Sequence, residues 1–466
     1  MRIVSLASLI LAAHVVLNAS TNAYIGHFTG NQVDVFDIET NTLLAPITVG
    51  NGPEFTTVTP DGKTAFVSNT SDSTVSAIDT ATNTVIGSAI PVGSMPQYLV
   101  VSPDGSTLYV CTSGTNSISY IDVASVLSGS PVTGTISTGA GPNFVGFSID
   151  GSKGYTCDRI GNSVTVFSTS TKMGLATISM NIGPTPISMV FKPDGTTAYV
   201  TNETTPGSVS LIDLGLNTAS YITTNIGNSP GGIAITPDGT KVLVANQSSN
   251  DLSVIDTSTN TAPLPPVPCA AAPFGIAVTQ DSTTAFISSA AFGSTSMSVY
   301  DINAAVMSTI TVSGPTTYPV FNPSGTLLLA PIFNASGELG LIAYPSLSVS
   351  TVSGLLAVPL WIAIASPSAL QPPSSLQGSK IQNDFFVYTA LLNLLHWQAP
   401  LSGPSPVGYR IYRNAALTDL AGEVSASASL TFTDSNVSKG ESITYFVVSV
   451  GGSGNLSSPV SVTLSR

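Results

Sequence analysis

A unit of about forty-four residues recurs along this chain, and the copy beginning at Gly231, GGIAITPDGTKVLVANQSSNDLSVIDTSTN, displays its parts in order. Its first landmark is a turn after a short apolar strand, at Pro60-Asp61-Gly62, Pro103-Asp104-Gly105, Asp150-Gly151, Pro193-Asp194-Gly195, Pro237-Asp238-Gly239, Asp281-Ser282 and Pro323-Ser324-Gly325. Successive turns lie 43 to 46 residues apart. Self-similarity at a fixed period of this length predicts stacked supersecondary units, and four short strands per unit fit a propeller blade rather than a helical solenoid. Asp can bond backbone amides ahead of it and Gly takes positive φ without steric cost, so the Asp-Gly pair suits a tight hairpin.

In the Gly231 copy the expected strands are 232–236, Lys241–Asn246, Asp251–Asp256 and a variable outer strand. They are apolar on both faces, as expected of blades sandwiched between neighbours. Second strands can be counted: AYIGHF, AFVSNT, TLYVCT, GYTCDR, AYVTNE, VLVANQ, AFISSA and LLLAPI, beginning at Ala23, Ala65, Thr107, Gly154, Ala198, Val242, Ala285 and Leu327. The expected fold is therefore all-β, a closed propeller of eight four-stranded blades, with seven as the alternative, followed by a β-sandwich. The first unit lacks an inner strand, and VPLWIAIAS, Val358 to Ser366, supplies one at the far end, matching APFGIAVTQ at Ala272. Pairing the two ends closes the ring.

AYVTN at Ala198, together with the PDG and VIDT motifs, resembles the YVTN-type β-propeller repeats of bacterial and archaeal surface or periplasmic proteins. The resemblance covers residues 21–367 and implies a scaffold, with no reaction attached. Upstream, MRIVSLASLILAAHVVLNAS carries Arg2, an apolar run from Ile3 to Leu17 and then small polar residues, which reads as a secretory signal over residues 1–20. Its rival is that Ala12 to Leu17 is itself a blade strand. Downstream, SPSALQPPSS marks a linker at about 366–375. The segments around Trp397, Tyr412 and Tyr445 in residues 368–466 then resemble a fibronectin type III sandwich, and in that resemblance these three residues are structural. An exported protein, secreted, cell-surface or periplasmic, is expected, with no transmembrane helix.

Charged residues make up 8% of the chain and its net charge is −13. Residues 21–367 hold 6 Lys and Arg against 20 Asp and Glu, so nucleic-acid binding lacks its main electrostatic attraction. Twelve of those acids sit at two recurring positions, the first turn and the third-strand ends at Asp37, Asp79, Asp122, Asp213, Asp256 and Asp301, and read as turn-formers. Three cysteines, Cys111, Cys157 and Cys269, are expected to be buried and unpaired. Asp158, Arg159 and Lys172 read as a solvated edge.

After removal of the leader only His27 and His396 remain, in separate units, so a Ser-His-Asp triad or a His-based metal site lacks its central residue. An acidic dyad drawn from Glu54, Asp72, Asp158 and Glu203 is conceivable. No cofactor and no catalytic or metal-binding residue is assigned. A better candidate is the propeller rim where each outer strand hands over to the next inner strand. Two residues after the entry Pro, or its equivalent, stand Trp361, Phe55, Tyr98, Phe144, Ser188, Gly232, Gly275 and Tyr318. Five aromatics thus fall on adjacent blades, preceded by Thr317, Leu360, Glu54, Gln97 and Asn143. Such an arc could stack sugars or grip a peptide, or the rings could simply pack between blades. The functional expectation is an exported, non-enzymatic binding or adhesion scaffold for a protein or glycan. The alternatives are a propeller hydrolase or lactonase, with acids and a metal converging in the channel, and a self-assembling surface structural protein.

Overall fold

The computed structural model describes residues 21–365 apart from 28 and 180, and beyond them strands and short connections within 374–465. The expected leader, residues 1–20, and most of the expected linker lie outside the described residues.

The repeat's turn chemistry builds each blade. At 236–240 the carboxylate of Asp238 accepts the hydroxyl of Thr236 and the N–H of Thr240, while Gly239 adopts φ +71°, where a β-carbon would be strained. The same clamp recurs at Asp61, Asp104, Asp150 and Asp281. At third-strand ends Asp37, Asp79, Asp213 and Asp256 accept N–H groups two residues ahead. Asp122 instead caps the short helix Val123–Leu127 by accepting from Ser125 N. These acids hold turns.

Among the described residues the repeats form eight antiparallel sheets of four strands, with the outer strand split in two in the first two blades. Middle strands are buried on both faces, as in Thr64–Asn69, whose six residues are all buried, whereas outer strands such as Gly174–Ile178 are largely exposed. Neighbouring blades interdigitate, Phe66 and Val75 of blade 2 packing with Leu108 and Val110 of blade 3. The second-strand tyrosines reach across the same seams. Tyr24 donates to Asn83 Oδ1 and Tyr199 to Asn260 Oδ1, each at 2.5 Å, onto the outer hairpin of the following blade.

Pro359–Ala365 pairs antiparallel with Asn22–His27, Tyr24 opposite Ala363 and Ile25 opposite Ile362, so the last propeller strand completes the first blade. Ile25, Phe36 and Ile362 pack there against Leu329, Leu339 and Leu341 of blade 8, each such burial being worth about 1.5–3 kcal/mol. A buried polar clip accompanies them. His27 Nε2 lies 3.0 Å from Asp34 Oδ2, which also accepts the N–H of Leu356 at 2.6 Å, and His27 Nδ1 lies 3.3 Å from the carbonyl of Ala357. Other blades hold Asn–Ser pairs at these two positions, Asn69 with Ser76, Asn202 with Ser210 and Asn246 with Ser253.

Two expectations are corrected here. Asp158 is not on a solvated edge: it is fully buried at the position of those asparagines, accepting from Thr156, Ser163, Thr165 and the N–H of Gly139. Burial raises its pKa, against the opposing pull of those donors. Lys172 stands at positive φ where other outer hairpins place Asn, and its Nζ donates to Thr107 Oγ1 and to the Tyr109 hydroxyl at 2.7 Å, tying blade 4 to blade 3. Arg159 is surface-exposed but paired with Glu203 at 2.5 Å. Cys111, Cys157 and Cys269 are free thiols, the first two buried and the third half-buried.

After the propeller, Ser374–Asp384, Thr389–Gln398 and Thr431–Asp434 form one sheet, and Leu420–Ser425, Gly408–Tyr412, Ser442–Val450 and Val460–Ser465 form another. The first pair is an antiparallel hairpin. Leu395, Trp397, Tyr409, Ile411 and Tyr445 share one core, and Trp397 meets Tyr409 edge-on at 5.4 Å. No helix among the described residues is long and apolar enough to cross a membrane.

Candidate functional site

The innermost strands carry a recurring irregularity. Where Pro53–Val58 pairs with Thr64–Asn69, the register slips between Pro53 and Phe55, and the same slip occurs after Pro96, Pro142, Pro186, Pro230 and Pro273. A bulge of this kind frees one residue from the ladder and re-aims side chains. Its N–H still needs an acceptor, and a buried serine of the second strand supplies one. Phe55 N–H donates to Ser68 Oγ at 3.3 Å and Gly275 N–H to Ser288 Oγ at 2.7 Å. Phe55, Tyr98 and Phe144, three of the residues expected to form a site, stand at or beside this slip.

All eight of those residues, Glu54, Phe55, Gln97, Tyr98, Asn143, Phe144, Tyr318 and Trp361, line one axial cavity of about 430 Å³, a size suited to a small molecule. They come from the beginnings of the inner strands, where the sequence placed them, and together they surround the propeller axis. Gly232 and Gly275 complete the wall on the opposite arc. Smallness is required at Gly232, because a β-carbon there would collide with the carbonyl of Phe274 on the next blade.

The rings form a continuous cluster. Trp361 stands 4.4 Å from Tyr318, 5.4 Å from Phe55 and 5.6 Å from Tyr98, and Tyr98 stacks on Phe144 at 4.7 Å. They remain half-buried, packing ring on ring while lining the cavity. Phe274 extends it, 4.8 Å from Tyr318. Sequence reasoning missed this residue, although it occupies the register position held by Glu54, Gln97 and Asn143 in other blades.

Polar groups divide into committed and free. Asn143 Nδ2 donates to the carbonyl of Ile187, and Thr317 Oγ1 donates to that of Leu360 at 2.8 Å, joining blade 8 to the closing strand. Among the described residues, the hydroxyls of Tyr98 and Tyr318 and the amide of Gln97 have no protein hydrogen-bond partner. Burial pushes the Tyr318 phenol up to about 12 and the Tyr98 phenol higher still, so both stay protonated donors. Glu54 is the one ionisable carboxylate in the lining among the described residues, and burial raises its pKa.

The imagined acidic dyad is absent: Asp72 is exposed and held by Asn51, Asp158 lies inside blade 4, and Glu203 pairs with Arg159. No group of three His, Cys, Asp or Glu gathers among the described residues. His27 is committed to the ring closure; the side chain of His396 lies outside the described residues.

Residues 22–224, blades 1 to 5, match the family model Lactonase, 7-bladed beta-propeller. A search of curated proteins by sequence returns no match. Among solved structures, the chain resembles the dihydro-heme d1 dehydrogenase NirN in complex with DHE, at 15% identity and TM-score 0.61, covering 75% of this chain and 76% of that one. It also resembles apo AztD from Citrobacter koseri, at 13% identity and TM-score 0.57, covering 74% and 98%. A putative 6-phosphogluconolactonase from Bacteroides uniformis aligns at 15% identity and TM-score 0.52, covering 74% and 100%. At such identities these structures establish the propeller fold alone. The family match overturns the expectation of a non-enzymatic scaffold, because the repeats that suggested an inert frame align with an enzyme family named for lactone chemistry. That family is described as seven-bladed, whereas this chain forms eight sheets among the described residues.

Proposed function

We propose that this protein is a lactonase-like hydrolase that opens a cyclic ester in the axial cavity, with Glu54 as general base. The observation that carries this reading is the pairing, in one aromatic cavity, of a half-buried carboxylate of raised pKa with two phenol donors that have no hydrogen-bond partner among the described residues. The family match over blades 1 to 5 supports the same reaction class.

In this reading the Glu54 carboxylate takes a proton from water as the water oxygen attacks the ester carbonyl. Tyr98, Tyr318 or the Gln97 amide donates to the oxyanion that forms. Collapse breaks the ring C–O bond, and the proton on Glu54 passes to the departing alkoxide, leaving an open hydroxy acid and a regenerated carboxylate. Trp361, Phe55 and Phe144 hold the ring of the substrate by stacking and exclude bulk water.

The direct test is turnover of a lactone panel by the full chain and by Glu54→Gln. Ring opening by the parent and its loss in the variant support the reading. Equal rates, or no turnover of any lactone, sink it.

The same reading includes an export leader in residues 1–20, supported by Arg2 and the apolar run after it. It also takes 368–466 as a fibronectin type III-like module, supported by two facing sheets of three and four strands around Trp397.

A further inference from the structure

The six cations of the propeller are distributed in a way that bears on substrate charge, and none lines the cavity. Lys63 pairs with Asp61, Lys192 with Asp194 and Lys241 with Asp256. Lys153 Nζ donates to the carbonyl of Leu214, and Lys172 to Thr107 and Tyr109. All five lysines stand at the end of the blades that carries the Asp-Gly turns. The bulges, Glu54 and the aromatic cluster lie at the other end, where the inner strands begin. The one cation at that end, Arg159, is bound to Glu203.

A phosphorylated or carboxylated substrate would enter a cavity whose only formal charge among the described residues is negative, with no guanidinium or ammonium among them to offset its loss of water. An uncharged ring meets no such barrier, and Trp361, Tyr318, Phe55, Tyr98 and Phe144 offer it flat apolar faces.

We infer that the cavity selects uncharged, flat or apolar lactones and rejects phosphorylated ones. This inference rests on the lactonase reading and deepens it by naming the substrate class.

The test compares dihydrocoumarin, an uncharged aryl lactone, with the 6-phosphate of glucono-δ-lactone, using the full chain. Hydrolysis is followed by proton release, and binding by quenching of tryptophan fluorescence. The expected result is a kcat/KM at least about 100-fold higher for dihydrocoumarin, a ratio that differential binding readily supplies. Comparable or faster hydrolysis of the phosphorylated lactone overturns the charge inference and leaves the lactonase reading standing. If neither is hydrolysed but dihydrocoumarin alone binds, the catalytic reading falls and the charge selectivity stands. If neither binds, or the phosphorylated lactone binds equally well without turnover, the inference fails. Gln97→Lys, which brings a cation into the lining, is expected to raise binding of the phosphorylated lactone about tenfold. A folded variant with no gain also counts against charge as the discriminator.

Discussion

Glu54 carries opposite expectations for activity and stability. Because burial raises its pKa above the unfolded value, the folded chain holds this proton more tightly, so the stability from this group is fully present below the unfolded value and lost as pH rises through the folded one. Glu54→Gln is therefore expected to lower kcat about 10²–10⁴-fold while leaving the melting temperature at pH 7 unchanged or higher. The acid limb of kcat/KM for the parent should fall above the ordinary glutamate value of about 4.3. A drop in melting temperature that parallels the loss of turnover would mean that Glu54 is structural. Asp158 invites the converse substitution. Asn occupies its place in blades 2, 5 and 6, so Asp158→Asn is expected to be neutral or stabilising at pH 7, whereas Asp158→Ala leaves the hydroxyls of Thr156, Ser163 and Thr165 short of an acceptor and costs about 1–3 kcal/mol by urea unfolding. Its burial was legible in principle from that register, but two adjacent charges in a charge-poor chain read as surface. Lys172 misled for the same reason. The thiols are simpler: burial lifts Cys111 and Cys157 well above the usual range and Cys269 to about 12, so none should react with a thiol reagent at pH 8 before unfolding.

At the scale of the element, hairpin chemistry was readable because it is local: an Asp-Gly pair dictates its own turn wherever it occurs. The bulge was not readable, since it is a property of backbone register and leaves no residue signature beyond the entry Pro. That difference explains why the aromatic arc was identified by its register, whereas the slip that accompanies it in most blades was not foreseen. The closing element gives a test of repeat logic. Asp34→Ala leaves the buried Leu356 N–H without its acceptor and removes the carboxylate beside His27, and is expected to cost about 1–3 kcal/mol. The double variant His27→Asn with Asp34→Ser, which copies the Asn202–Ser210 pair of blade 5, should recover most of that loss. Failure of the double variant to recover any stability would show that the clip is particular to closure and not one more copy of the blade motif.

For the whole molecule, self-similarity revealed the ring and the closing strand because the missing inner strand of one unit and the surplus strand at the other end match in sequence. It hid the proposed chemistry for the same reason: a repeat advertises what its copies share, whereas the cavity lining is set by the places where they differ. Closure ties every blade into one cycle, so weakening it should expose an edge that other molecules can pair with. Ile362→Asp is expected to yield species whose mass by light scattering rises with protein concentration relative to the parent; an unchanged mass would show that the seam is held without this contact. There is also a consequence in time. The strand Asn22–His27 emerges from the ribosome first and its partner Pro359–Ala365 emerges more than three hundred residues later. At about 5–20 residues per second that wait lasts on the order of tens of seconds. A chaperone that shields the waiting edge of the nascent chain should raise yield more than one that acts after release.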